Sequence, residues 1–196
     1  MTTDCDAAVG LVARYAHIVG VKPPTLRVRP KMAGCSYNAL THRITLGDAL
    51  LACDQWQIEV TLAHEVGHAL QRRQILKEVV PVLLVLPFSF VVVLVVALIL
   101  APEPLVLCGL SATYLVAVVG AMRRFERWFE PRYVEREIEA DTVAVALCGA
   151  ASTINMLQSG PPGRSAEIVA RLHALMGQRV ADPKYLDHAY GVGSEH

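Results

Sequence analysis

Two histidines and a glutamate lie within five residues near the middle of the chain, in the order His64-Glu65-Val66-Gly67-His68. In an α-helix, side chains at positions i and i+4 share a face, with Cβ atoms about 5–6 Å apart, a separation that one metal ion can bridge. Zinc is the typical occupant of such a pair. Glu65 is rotated by about 100° from His64, so it can take a proton from an attacking water without being a ligand. Two histidines satisfied within a protein core are the alternative, because short strings of this kind also arise by chance.

A catalytic zinc site also needs a third protein ligand and one open position. The segment 135–141 (EREIEAD) offers four carboxylates. Glu137 and Asp141 are four residues apart and share a helix face, whereas Glu139 lies about 200° around the helix from Glu137. One face can therefore supply a ligand, Glu137, and a carboxylate, Asp141, that orients a histidine N–H. Taken without His64 and His68, the same segment would be interpreted as a solvated helix face.

The elements that must position these residues follow from periodicity and turn residues. Residues 4–19 have apolar side chains at helical spacing, and 48–77 contains no proline, which favours one or two helices with a break near Asp54. The segments 25–30 and 42–47 alternate apolar with polar side chains and predict a small antiparallel sheet. The expected fold class is therefore α+β, mainly helical, in a single domain over residues 1–196.

A long apolar region separates the two motifs. Residues 79–102 contain no charge, and neither do residues 104–122. Each is long enough to cross a hydrocarbon core of about 30 Å as a helix, which predicts a transmembrane hairpin over 79–122, with spans at about 79–101 and 104–122. Such a hairpin returns the chain to the membrane face from which it started, so that the two motifs can meet. Two buried core helices are the alternative, but the remaining chain could hardly cover them.

Basic residues flank this hairpin and are absent from its turn. They are Arg72, Arg73 and Lys77 before it, and Arg123, Arg124, Arg127 and Arg132 after it. By the positive-inside rule both ends should be cytoplasmic. Glu130-Pro131 predicts a break, after which a helix should run from about Tyr133 to Leu147. The expected location is the inner, cytoplasmic membrane, in a multi-pass arrangement with the active site facing the cytoplasm.

Composition excludes several classes of function. The apolar share is 54%, high for a soluble protein, which agrees with a lipid bilayer as partner. Lys plus Arg equals Asp plus Glu at 18 each, and no basic run is interleaved with aromatics, so nucleic acid is not an expected partner. The five cysteines are scattered, which favours a reducing compartment over a disulfide framework. The first thirty residues contain no apolar core of a cleavable signal peptide.

The order of HRITLGDALL, TLAHEVGHALQ, two hydrophobic segments and EREIEADTVAVAL resembles the membrane gluzincin peptidases of the HtpX and CAAX-prenyl-protease type. The string AHEVGHALQ is also similar to the YugP-like zinc metallopeptidases. The resemblance covers about residues 36–148. It implies one Zn²⁺ per chain, with Glu137, the first glutamate of E-x-x-A-D, as third ligand and Asp141 as its aspartate. It also implies that an edge strand within 36–45 binds an extended peptide, although an ordinary hairpin turn explains that segment equally well.

The chain departs from those families at both ends. We expect no extra N-terminal membrane helices of the HtpX type, since residues 1–78 contain no apolar span, and residues 150–196 match no motif. A linker at 159–163 and a last helix near 165–177 are expected there. The residue that stabilises the transition state is not identified. Its candidates are His173, Arg171 and His188, with an ordinary surface residue as the alternative for each.

The expected function is that of a zinc-dependent, membrane-bound endopeptidase that hydrolyses membrane-associated proteins or peptides, with Glu65 as the base. A zinc-stabilised membrane scaffold or partner-binding protein is the alternative. A purely structural zinc site needs no base, so Glu65 favours the enzyme. A protease with zinc inside the bilayer fits poorly, because Gln71, Arg72 and Arg73 directly follow the motif. Nothing in the sequence indicates the oligomeric state.

Overall fold

The computed structural model describes residues 2–100, 104–159 and 174. Its elements are α1 (Thr2–Ile18), β1 (Thr25–Arg29), β2 (Cys35–Asn38), β3 (Arg43–Gly47), a 3-10 helix (Asp48–Ala52), α2 (Gln55–Leu70), α3 (Arg72–Leu100), α4 (Pro104–Cys148) and α5 (Ala150–Ser159). The described chain is thus mostly helical with one small sheet, as expected. The predicted linker at 159–163 lies outside the described residues except for Ser159. The helix predicted near 165–177 lies outside them except for residue 174.

The sheet is mixed, with strand order β1-β3-β2. β1 pairs parallel with β3, while β2 pairs antiparallel with β3. The prediction of an antiparallel sheet from 25–30 and 42–47 is therefore wrong in direction. The segment between them forms a strand of its own, β2, which folds back on β3 as a hairpin. β1 is left to join the opposite edge of β3, and the intervening chain serves as the crossover that a parallel pair requires.

The described residues fall into two compact units. One contains the chain up to Arg72 together with the chain from Glu135 onward, and the other contains residues 73–134. The core of the first unit lies between the sheet, α1 and α2. Fully buried apolar side chains from all three line it, and Ala144 of α4 joins them; they are Ala16 of α1, Ile44 and Leu46 of β3, and Val60, Leu62, Ala63 and Val66 of α2. This packing holds α2 in place on the sheet.

α2 has defined signals at both ends. Asp54 is its N-cap and forms a capping box with Gln57, in which each side chain accepts a hydrogen bond from the backbone N–H of the other residue. This confirms the predicted break near Asp54, between the 3-10 helix and α2. Gln71 is the C-cap, and its backbone N–H donates to the carbonyl of Gly67 at 3.4 Å. α3 then begins at Arg72, so the helix with the histidines does not continue unbroken into the apolar segment.

α4 ends at Cys148, and the following Gly149 has φ +90°, a left-handed conformation that favours glycine. The predicted helix end at this glycine is confirmed. The predicted break at Pro131 is wrong, because Pro131 lies inside α4. A proline removes one hydrogen bond of a helix, and the turns on either side can keep a long helix continuous. α5 was not predicted.

In the second unit, α3 and α4 contact each other through polar groups. The Ser89 hydroxyl lies 2.9 Å from the Tyr114 hydroxyl, which donates to the Leu86 carbonyl at 3.1 Å. Among the described residues one helix is long and apolar enough to cross a membrane, over Arg72–Ile99, and its most apolar window of 18 residues has a mean hydropathy of 3.2. The second span predicted at 104–122 is not confirmed, so the two-helix hairpin stays a prediction.

Candidate metal centre

α2 presents His64 and His68 on one face, as their spacing predicts. The Nε2 atoms of the two rings are 3.1 Å apart. Glu137, near the C-terminal end of α4, places Oε2 3.5 Å from Nε2 of His64 and Oε1 3.3 Å from Nε2 of His68. The ligand atoms of these three residues all lie within 4.8 Å of one another and could hold a metal ion.

His64 is held in place by Asp141. Its Nδ1 donates to Oδ1 of Asp141 at 2.7 Å, and the Asp141 side chain is completely buried. Because the proton is on Nδ1, the Nε2 lone pair of a neutral His64 points at Glu137 and His68. A carboxylate behind a metal-binding histidine fixes the tautomer and the ring orientation in this way. The structure therefore brings the predicted Asp141 to the position its expected role requires.

The charges of the centre depend on one another. Burial acts to lower the pKa of His64, but hydrogen bonds to Asp141 and Glu137 outweigh burial and raise this pKa to about 9. Burial acts to raise the pKa of Glu137, yet hydrogen bonds and charge from His64 and His68 lower it well below its usual range. Without a metal, a proton on His64 thus supplies the positive charge that the carboxylates attract.

Glu65 lies beside the centre and is buried, with 6% of its surface exposed. It is not one of the three residues whose ligand atoms converge. Its charge acts on His64 and also on Cys35, the first residue of β2, whose thiol pKa is raised by burial and further by Glu65. The charge of Glu65 therefore reaches both His64 and Cys35, and Glu65 does not converge with the three possible ligands, which agrees with the predicted role of a base.

Glu139 does not join the converging residues. Its Oε2 accepts a hydrogen bond at 3.0 Å from Nε2 of Gln71, whose Oε1 lies 3.4 Å from Nδ1 of His68. Sequence reasoning did not include Gln71 in the site. The signal was present, since Gln71 is three residues after His68 and so lies on the same helix face. His173, Arg171 and His188, the candidates for stabilising the transition state, lie outside the described residues.

The donor set suits zinc. Two imidazole nitrogens and one carboxylate oxygen are the ligands of one type of catalytic zinc site, in which the fourth position stays open for water or substrate. Both Nε2 atoms face the Glu137 carboxylate at 3.3–3.5 Å, and Asp141 supports His64 from behind. His64, His68 and Glu137 would hold the ion.

A helix with two converging histidines, a neighbouring buried glutamate and a third donor from a later helix is typical of a metallopeptidase. Residues 32–159 match the model of Peptidase family M48, and the chain belongs to this family. The match includes β2, β3, α2 and the segment with Glu137, and peptidases of this family depend on a metal. No curated protein and no solved structure matches the chain. The finer resemblance to the HtpX, CAAX-prenyl-protease and YugP types stays a prediction.

Proposed function

We propose that this metallopeptidase is a zinc-dependent endopeptidase, anchored in the cytoplasmic membrane, that cleaves membrane-associated proteins or peptides on the cytoplasmic side. The observation that supports it most is the convergence of Nε2 of His64, Nε2 of His68 and the Glu137 carboxylate, with Glu65 buried beside them. A site that served structure alone would not need an additional carboxylate next to its ligands.

The residues divide the chemistry between them. A bound zinc ion would act as a Lewis acid that makes water more acidic and polarises the substrate carbonyl. Glu65 takes the proton from the attacking water and later donates it to the leaving amine. Asp141 holds His64 in the tautomer that binds metal. Glu137 would neutralise part of the positive charge of the zinc ion.

β2 supports the assignment of a peptide substrate. It is an edge strand of the sheet, and α2 packs against it. An extended peptide can add to such an edge through main-chain hydrogen bonds, which places its backbone beside the metal helix. The end of β2 is well held, because Asn38 Oδ1 accepts the Thr41 N–H at 3.0 Å and Arg72 Nε donates to the Ala39 carbonyl at 2.8 Å.

α3 supports the membrane anchor. Its most apolar 18-residue window is only 6% buried, and large side chains such as Phe88 and Ile99 are 71% and 73% exposed. Apolar surface of this extent is unfavourable in water and favourable in lipid. The cytoplasmic orientation rests on the basic residues that flank the apolar region.

Cysteine labelling tests this topology. Starting from a cysteine-free chain in intact cells, one variant regains only the native, exposed Cys53 and another carries only Glu103→Cys. An impermeant thiol reagent should label residue 103 in intact cells, and Cys53 only after the membrane is opened. Labelling of position 103 only after opening would contradict the hairpin.

The enzymatic function is tested with the purified protein in detergent. We expect one zinc per chain, cleavage of casein or a membrane protein at internal bonds, loss of cleavage with a chelator, and recovery on adding zinc. Stoichiometric zinc without cleavage of any substrate would instead support the scaffold.

A further inference from the structure

We propose that Gln71 is a positioning residue that sets the tautomer of His68 and links it to the helix segment with Glu137. This inference rests on the proposed role of His68 and Glu137 as metal ligands. Nothing in the family match assigns a role to Gln71.

Gln71 is buried and makes three side-chain hydrogen bonds. Its surface is only 7% exposed, at the C-terminal end of α2. Its Nε2 donates to the backbone carbonyl of Arg136 at 3.0 Å and to Oε2 of Glu139 at 3.0 Å. Its Oε1 lies 3.4 Å from Nδ1 of His68. One amide thus connects a histidine of the centre with two groups that flank Glu137 in the sequence.

The orientation of this amide follows from its partners. A backbone carbonyl can only accept a hydrogen bond, so the NH₂ group of Gln71 must face the Arg136 carbonyl. The amide oxygen then faces His68, and an oxygen can only accept. His68 must therefore donate from Nδ1, which leaves Nε2 of the neutral ring as the nitrogen with a lone pair.

That lone pair points into the centre, because Nε2 of His68 is 3.3 Å from Oε1 of Glu137 and 3.1 Å from Nε2 of His64. Asp141 fixes the tautomer of His64 in the same way, by accepting a hydrogen bond from Nδ1 of His64 on Oδ1 at 2.7 Å. The two histidines are thus supported differently, one by a carboxylate and one by a neutral amide. The amide fixes the tautomer without adding a further negative charge to a site that already holds several carboxylates.

The bond to Arg136 gives Gln71 a second effect. Arg136 directly precedes Glu137, so the hydrogen bond to its carbonyl fixes the backbone of α4 beside the third donor. A shift of α4 relative to α2 would break this bond and the bond to His68 together. Removing the amide should therefore loosen both His68 and Glu137.

Zinc affinity of the metal-free protein, measured by competition with a chelator of known affinity, is the primary test. Gln71→Met keeps the length of the side chain and removes its hydrogen bonds. We expect a loss of about 10- to 100-fold in affinity, the usual effect of removing the group behind a metal ligand. Circular dichroism and thermal unfolding of the metal-free variant check that it folds.

The exchange variant Gln71→Glu/Glu139→Gln separates hydrogen bonding from packing. Position 71 then keeps an oxygen that accepts from His68, and the amide introduced at position 139 can donate to it, but a carboxylate cannot donate to the Arg136 carbonyl. Zinc affinity should therefore recover only in part, to a value between those of Gln71→Met and the wild type. In addition, long-range ¹H–¹⁵N correlation spectra of labelled histidines in the metal-free protein should show the proton of His68 on Nδ1 in the wild type, and on Nε2 in a larger fraction of Gln71→Met.

The outcomes are distinguishable from failure of the proposed function. If the wild type binds no zinc, the proposed function fails. If it binds zinc and Gln71→Met binds equally well, the inference about Gln71 is wrong and the function stands. A loss of affinity in Gln71→Met that leaves the proton of His68 on Nδ1 would assign Gln71 to packing and also overturn the inference. If Gln71→Met does not fold, the exchange variant decides: a His68 proton that stays on Nδ1 supports the inference, and one found mainly on Nε2 contradicts it.

Discussion

Gly67 and Ala140 bring α2 and α4 into backbone contact at the metal centre. A Cβ atom on Gly67 would lie 2.7 Å from Cα of Ala140 and 3.0 Å from its carbonyl oxygen. Gly67 directly precedes His68, and Ala140 directly precedes Asp141. At this separation the side chains of His68 and Glu137 can reach one ion, because metal–ligand bonds are only about 2 Å long. Gly67 makes this close approach possible because it has no Cβ atom.

Gly67→Ala should therefore weaken zinc binding. In a helix, alanine is more favourable than glycine by about 1 kcal/mol, so the substitution would stabilise α2 if the space beside position 67 were empty. Here the neighbour is backbone, which can yield only if the helices separate. We expect a zinc affinity at least about tenfold lower and a lower Tm. Gly10→Ala on α1 is the matched control, since a Cβ there meets nothing within 4 Å, and it should not lower either quantity. Unchanged zinc affinity in Gly67→Ala would show that the contact does not set the ligand geometry.

Glu65→Gln should retain zinc and lose peptidase activity. The amide has nearly the same shape as the carboxylate but cannot take the proton of the attacking water. We expect kcat to fall by about 10³-fold or more, with zinc content and Tm close to wild type. The measurement is cleavage at saturating substrate together with metal analysis. Cleavage at the wild-type rate would exclude Glu65 as the base.

Glu137→Ala and Glu139→Ala should differ sharply, although the two glutamates are only two residues apart. Glu137 faces both histidines, so its loss should abolish stoichiometric zinc and activity together. Glu139 contacts Gln71 instead, which keeps its bond to Arg136 when Glu139 is removed. The Glu139 variant should therefore keep the metal and most of the rate. Zinc lost from the Glu139 variant but kept by the Glu137 variant would reverse the assignment.

Zinc affinity should rise with pH up to about 9. The pKa of His64 is raised from 6.5 to about 9 without metal, so below that pH zinc must displace a proton from His64. Each displaced proton makes the affinity rise by up to about tenfold per pH unit, and this contribution ends above pH 9. The free energy of unfolding of the metal-free protein changes with pH in the opposite direction. Protonation of His64 stabilises this protein fully below pH 6.5, and the stabilisation is lost as pH rises through 9.

Calorimetric zinc titrations in buffers of different ionisation enthalpy count the released protons. Asp141→Asn weakens the main group that raises the pKa of His64, so fewer protons should be released at pH 8 than in the wild type. Equal proton release by both proteins would show that Asp141 does not control His64.

The sequence alone determined the local geometry of the centre. Helical periodicity depends only on the backbone, so the spacing of His64 and His68, and of Glu137 and Asp141, predicted which side chains share a face before any packing was known. Breaker and helix-end residues likewise predicted a break near Asp54 and a helix end at Gly149. Patterns of this kind extend over one or two helical turns.

Only the tertiary structure decided how distant segments pair. The alternation in β1 and β3 is the same for parallel and antiparallel partners, so the strand direction depended on β2 taking one edge of β3. Likewise, the sequences of α2 and α4 taken separately do not predict that Gly67 contacts Ala140 or that Gln71 donates to the Arg136 carbonyl. These contacts join residues more than sixty positions apart, and they form only when the packing of α2 against the sheet and α4 brings the small residues and the polar groups together.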